Sequence, residues 1–169
     1  MPMTASLDAV QGRAPTPLDR TFQLGFKVAY QMMRTYWRLR RPTTHGALVL
    51  LWNAGEVLLV RNSYVPFYSA PGGFVKRGEE ARNAALRELV EEVGLRVTAQ
   101  ELTLALEVTF PWEFKQDHVK IFEVQLNERP VIKVDNREVI QAVWVKPEVA
   151  VTLNVFPPLK AAIQQHLAV

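Results

Sequence analysis

The pattern of hydrophobic and polar positions divides the chain into a helical front, a strand-rich centre and a closing helix. Between Leu18 and Arg41, the apolar residues Phe22, Phe26, Ala29, Met33 and Tyr36 recur at helical spacing and form one stripe. Asp19 or Thr21 is expected to cap the start of this helix, and Pro42 disfavours helical geometry at Arg41. Residues 1–17 are small, polar and interrupted by proline, which predicts a poorly ordered tail. From His45 the pattern changes. His45–Trp52 is a nearly continuous apolar run of β character, Asn53–Gly55 is a turn, and Glu56–Arg61 returns as the second strand of a hairpin. Asn62–Ser69 reads as a loop carrying Tyr64, Phe67 and Tyr68. Strands are expected over Leu102–Phe110, Val119–Leu126 and Val139–Val145, with a polar and aromatic loop at Pro111–His118 and a short helix at Pro157–Leu167.

The segment Gly73–Leu95 carries the candidate chemistry. Ala81, Ala84, Ala85, Leu86 and Leu89 favour a helix, and Gly94 is a natural stop after Val93. Glu88, Glu91 and Glu92 stand at i, i+3 and i+4, so their carboxylates share one helix face, while Ala85, Leu89 and Val93 lie on another face suited to burial. Three crowded carboxylates repel one another unless a cation joins them, and an all-oxygen donor set suits Mg²⁺ or Mn²⁺. Arg87 and Glu79 supply opposite charges within the same segment. Taken alone, Glu88–Glu92 would read as a solvated acidic face.

The full spacing changes that reading. Gly73, five residues, Glu79, seven residues, then Arg87-Glu88-Leu89-x-Glu91-Glu92-x-Gly94-Leu95 resembles the signature of the Nudix hydrolases without a departure. The resemblance implies an α/β/α sandwich around a mixed β-sheet over residues 42–169, with the helix of residues 18–41 as an addition. It also implies hydrolysis of a nucleoside diphosphate linked to another moiety, by attack of water on a phosphorus of the pyrophosphate. By position, Glu88, Glu91, Glu92 and the carbonyl of Gly72 match metal ligands of the family, and Arg87 with Glu79 matches a bracing pair. Glu138, six residues before Trp144, resembles a glutamate that in several members binds metal or helps to activate water; the alternative is a surface glutamate at a strand entry.

Substrate choice lies outside the signature. Pro111 falls 16 residues beyond Leu95, a spacing that resembles ADP-ribose pyrophosphatases, and the region lacks the S-Q-P-W-P-F-P-x-S pattern of NADH pyrophosphatases. Trp112 and Phe114 are candidates to stack an adenine. Nucleoside diphosphate sugars, ADP-ribose among them, therefore rank ahead of nucleoside triphosphates, dinucleoside polyphosphates and capped RNA. The competing class is a non-catalytic Nudix-like binding or regulatory domain, which the intact glutamate set disfavours.

Composition and charge refine this picture. At 169 residues the chain is expected to form a single domain around a sizeable core. It contains no cysteine, which excludes disulfides, a thiol nucleophile and a cysteine-based zinc site. Neither a signal-peptide pattern nor an 18-residue apolar run is present, so a cytoplasmic protein is expected. Residues 20–41 carry six Lys or Arg and no acid, so the rest of the chain sums to −3 against a total of +3. Three readings of this basic helix compete. Its apolar stripe is expected to pack on the domain core or on a second copy in a homodimer; contact with a membrane surface through residues 18–41 ranks lower. Nucleic acid ranks last, and DNA is not expected, because no known binding motif accompanies the charge.

Overall fold

The computed structural model describes residues 8–10, 14–132 and 134–168. A mixed sheet carries β1 (Asp8–Val10), β2 (Thr43–Asn53), β3 (Glu56–Asn62), β4 (Gly72–Phe74), β5 (Thr103–Trp112), β6 (Lys115–Gln125) and β7 (Val139–Val145). The order is β1-β7-β3-β2-β6-β5, with β4 paired to β2 off this path. The β2–β6 pair is parallel and the others are antiparallel. Helix α1 (Pro17–Arg40) precedes the sheet core; α2 (Ala81–Glu88) runs into a π-helical turn at Leu89–Val93; α3 (Pro147–Ala150) and α4 (Pro157–Leu167) follow β7.

Strand alternation explains the sandwich. Successive side chains point to opposite faces, so Ala47, Val49 and Leu51 of β2 join Ala84, Ala85, Leu89 and Val93 beneath α2. Leu48, Leu50 and Trp52 instead meet Leu159, Ala162 and Ile163 of α4 on the other face. Burial on both faces is why β2 and β3 read as continuous apolar runs rather than alternating ones. The expected hairpin is present, with Ala54 and Gly55 both at positive φ in its turn.

β2 and β3 pair only at that turn, through Trp52–Val57 and Asn53–Glu56. Beyond it they separate, and the chain from Ser69 to Phe74 fills the gap: Ser69 pairs with Val60, the Val49 N–H donates to the Pro71 carbonyl, and Gly72–Phe74 pairs with Gly46–Leu48. This wedge carries the glycine pair into the middle of the sheet.

Several expectations change. The segment expected as a tail contributes β1, which pairs with Ala142–Trp144 of β7; residues 1–7 and 11–13 lie outside the described residues. The α1 cap is Thr16 rather than Asp19 or Thr21. Its hydroxyl accepts from the Asp19 N–H at 3.2 Å while the Asp19 carboxylate accepts from the Thr16 N–H at 2.8 Å, a reciprocal capping box with Pro17 at the first helical position.

The face of α1 that meets the domain also differs from the expected stripe. The side chains turned inward are Asp19, Gln23, Phe26, Tyr30, Arg34 and Trp37, whereas Phe22, Met33 and Tyr36 remain 43–50% exposed. The reason is the polar character of the surface beneath. Gln23 donates to the Asn136 carbonyl at 2.7 Å, Arg137 meets the buried Asp19 carboxylate at 3.4 Å, and Tyr30 and Arg34 both reach Glu113. Trp37 closes the row edge-on to Phe74 and beneath the Lys115 ammonium.

The expected loop at Pro111–His118 is instead the tip of the β5–β6 hairpin, turning at Glu113 and Phe114, both at positive φ. Pro111 is tolerated because β5 is an edge strand. Trp112 packs against Phe67 and Phe156 at 5.8 and 5.3 Å between ring centroids, so it fills an aromatic cluster over α4 instead of standing free to stack a base.

Candidate active site

Two segments build the site, the glycine pair of β4 and the acidic end of the α2–π helix. Gly72 has φ +149, and a Cβ there would stand 2.2 Å from the Ala47 carbonyl oxygen, so only glycine fits this pairing with β2. A Cβ on Gly73 would stand 2.7 Å from Glu88 Oε1. The missing side chain is therefore what lets the Glu88 carboxylate lie against the backbone. Gly73→Ala is expected to keep the fold and displace that carboxylate, lowering activity on the order of tenfold, the lower end of losses seen when groups supporting a site are moved. Parental activity with an unchanged melting temperature would show that the position of Glu88 does not matter.

The helix does not continue as a regular α-helix through the acids. After Glu88 it widens into a π turn over Leu89–Val93, closed where the Gly94 N–H reaches the Leu89 carbonyl. Such turns often mark functional sites. Here it keeps Leu89 and Val93 fully buried while Glu91 points to solvent and Glu92 turns inward. The Gly72 N–H donates to Glu92 Oε2 at 2.9 Å, which joins the two segments.

Arg87 braces this junction. Its Nε and Nη2 donate to the two oxygens of Glu79, each at 3.0 Å, and Nη2 also donates to the Phe74 carbonyl at 3.2 Å. Nη1 lies 2.5 Å from Glu88 Oε1 and 3.4 Å from Glu91 Oε2. The Arg87 hydrogen bond is the chief reason the Glu79 carboxyl is held down to about 2, helped by the Lys76 N–H. The expected pairing of Arg87 with Glu79 and the cluster is thus present in the geometry.

Glu138 comes from a distant part of the chain, one residue before β7. Its Oε1 accepts from the Tyr64 hydroxyl at 2.9 Å, and that hydroxyl in turn accepts from Asn62 Nδ2 at 3.0 Å. Burial raises its proton affinity, as do the charges of Glu88 and Glu91, against the lowering effect of Tyr64. Burial pushes Glu92 up to about 8, and Glu88 and Glu138 reinforce the shift. Although Glu92 keeps some accessible surface, its carboxylate is enclosed by the Gly72 backbone and Asn62, and we attribute the shift to that enclosure.

Asn62 and Tyr64 were legible in the sequence only as loop residues. The β3–β7 register, which sets Asn62 opposite Val139, brings them to Glu138 across 74 residues of chain. Nothing local signals that contact. Tyr64 also meets Tyr30 and Phe26 of α1 at 5.1 and 6.1 Å, so α1 forms one wall beside the site. His118 bonds Thr109 and stacks on His45.

The chemistry of the donor set fits a hard divalent cation: the neighbouring carboxylates that raise the proton affinity of Glu92 and Glu138 lie beside a backbone carbonyl segment, and that repulsion is relieved when a cation sits among them. Among the described residues, no three acidic or histidine side chains already converge into a cage. Glu88 is engaged by Arg87 and Glu92 by Gly72, so binding requires the carboxylates to turn.

Comparison with known proteins shows the family of the chain. The chain is 31% identical over 124 residues to the NAD-capped RNA hydrolase NudC of Pseudomonas aeruginosa, covering 71% of this chain and 41% of that protein. It is 46% identical over 57 residues to the RNA pyrophosphohydrolase of Dinoroseobacter shibae, covering 32% of this chain and 36% of that one. The chain therefore spans less than half the length of these curated relatives. The dihydroneopterin triphosphate pyrophosphohydrolase of E. coli has a similar structure, with a TM-score of 0.63 and 26% identity over 73% of this chain and 94% of that one. A family model described as the NUDIX domain matches residues 42–166, and with the signature standing in the geometry above, the chain belongs to that family.

Proposed function

We propose that this chain is a divalent-cation-dependent pyrophosphohydrolase, cleaving the pyrophosphate of a nucleoside diphosphate linked to another moiety. The observation that carries this reading is the complete signature from Gly73 to Leu95, whose Glu88 and Glu92 meet at the β4 glycine pair opposite Glu138. Glu88, Glu91 and Glu92, with the Gly72 carbonyl, would hold the cation, Mg²⁺ or Mn²⁺. Such an ion neutralises the pyrophosphate charge and lowers the pKa of a bound water.

The protein's own groups do the rest. Glu138, fixed through Oε1 by Tyr64, would take a proton from the attacking water through its second oxygen. The water oxygen forms a bond to phosphorus, the bridging P–O bond breaks, and the leaving phosphate departs with the bridging oxygen. Arg87 does not react; it sets the positions of Glu88 and Glu91 from behind.

Among substrates we place nucleoside diphosphate sugars first, ADP-ribose among them, on the position of Pro111. That residue is exposed on edge strand β5, two residues before Glu113, which Tyr30 and Arg34 of α1 contact. The relatives named above act on other pyrophosphate compounds, so the test must span classes. ADP-ribose, UDP-glucose, NADH, a dinucleoside polyphosphate and dGTP are to be incubated with Mg²⁺ or Mn²⁺ and the products identified by mass. ADP-ribose is expected to give AMP and ribose 5-phosphate fastest. Faster hydrolysis of dGTP or NADH would overturn the ranking. Binding of these compounds without turnover under either metal would favour the non-catalytic reading.

A further inference from the structure

The inner face of α1 is fixed to the domain, and its outer face is left bare. Leu24, Val28, Met32 and Leu39 are 63, 53, 68 and 78% exposed. At about 100° of rotation per residue, they stand opposite the row Gln23, Phe26, Tyr30 and Trp37 that meets the domain. Phe22 and Tyr36 extend the apolar surface on one flank. A contiguous face of this size on a single helix marks an interaction surface rather than ordinary surface variation.

The charge on the other flank identifies the partner. Arg20, Lys27 and Arg38 line it, all exposed, and residues 20–41 contain no acid. The nearest carboxylate on the helix, Asp19, is fully buried against Arg137. A second copy docked antiparallel by this face would set two cationic flanks side by side with no carboxylate on the helix to pair them. An anionic sheet of headgroups above an acyl layer complements both features, the apolar ridge entering the layer and the cations meeting the phosphates. The helix is long enough for this, since 24 residues span about 36 Å.

We infer that α1 is an in-plane docking helix through which the domain binds an anionic lipid surface, with Leu24, Val28, Met32 and Leu39 inserted and Arg20, Lys27 and Arg38 at headgroup level. Among the described residues no helix is long and apolar enough to cross a membrane, so the contact is peripheral. This inference is independent of the substrate reading, because none of these outer side chains belongs to the carboxylate site.

The test is sedimentation of the full chain with vesicles of phosphatidylcholine alone and of phosphatidylcholine mixed with phosphatidylglycerol. Binding is expected to the mixed vesicles, to weaken with added salt, and to be slight with phosphatidylcholine alone. Arg20→Gln with Lys27→Gln is expected to weaken it by about tenfold or more, given the typical contribution of each basic residue near an anionic surface. Val28→Gln with Met32→Gln is expected to abolish it while leaving the melting temperature unchanged, because both positions face away from the domain. A dye on Met32→Cys, the only thiol in a chain without cysteine, is expected to shift to the blue with mixed vesicles, and a dye on Gln164→Cys of α4 is not. Failure of the parent to bind mixed vesicles, or equal binding by both double variants with their folds intact, overturns the inference. So does a solution mass of two chains that becomes one in the Val28/Met32 variant without any vesicle binding, which assigns the face to a second copy.

Discussion

Replacing Glu92 by Gln is expected to remove most activity while making the metal-free protein more stable at pH 8. The two effects have one cause. Glu92 is enclosed beside Gly72 and near Glu88 and Glu138, which raises its proton affinity to about 8 from the ordinary 4.5. The folded metal-free chain therefore keeps a proton that the unfolded chain releases between these values. The contribution of Glu92 to stability is fullest below pH 4.5 and falls as pH rises towards 8, the opposite of the usual carboxylate behaviour. The contribution is on the order of a few kcal/mol. Gln cannot ionise, so the slope should flatten, with the part due to Glu138 remaining. Mg²⁺ or Mn²⁺ should stabilise the parent most at high pH and the variant much less. Loss of a charged ligand is expected to lower turnover about a hundred- to a thousandfold, matching the several kcal/mol that a bound cation contributes to the transition state. Melting curves from pH 5 to 8, with and without metal, read the first effect and turnover reads the second. Parental turnover with the same metal dependence would remove Glu92 from the site.

Arg87→Ala carries the next largest effect, and it should appear in both activity and stability. One planar guanidinium bonds both oxygens of Glu79, approaches Glu88 and Glu91 and donates to the Phe74 carbonyl. No other residue type offers that fork of donors. Its removal leaves Glu88, whose side chain is 14% exposed, facing Glu92 without its cation. Turnover is expected to fall about 10- to 100-fold, as for other groups that orient ligands, and the melting temperature to fall with it. Glu79 should rise towards the ordinary carboxylate range, with the Lys76 N–H still holding it partly down. Its contribution, present at neutral pH and lost as pH falls towards 2 in the parent, should therefore shrink on the acid limb of stability. Arg87→Lys should recover part of the stability and little of the activity. A large loss of activity at constant melting temperature would instead place Arg87 against the substrate.

What the sequence by itself determined is what depends on short spacings. Glu88, Glu91 and Glu92 stand at i, i+3 and i+4 on one short helical segment, so no distant contact is needed to bring them near one another, although the π turn sends Glu91 to solvent and Glu92 inward. The apolar runs of β2 and β3 specified strands buried on both faces, and α4 was bounded by Pro157 and Leu167 as expected. The pairing of Arg87 with Glu79 was legible because eight residues of local turn and helix connect them.

Only the tertiary structure decided the parts that span the chain. The face of α1 was misread because this helix has apolar residues around most of its circumference, so its own periodicity does not select one. The choice was made by Asn136, Arg137 and Glu113, which lie 113, 118 and 83 residues from Gln23, Asp19 and Tyr30, their partners on the helix. Those partners are polar, and polar groups choose a face by hydrogen-bond geometry rather than by hydrophobic pattern. The hairpin tip at Glu113–Phe114 follows the same logic: with Pro111 beside it the segment reads as a loop, until an edge strand that accepts proline is known. Glu138 likewise gained its place from the β3–β7 register, which alone sets Tyr64 and Asn62 beside it. Short spacings fix which groups a helix turn presents; long-range pairing fixes what they face.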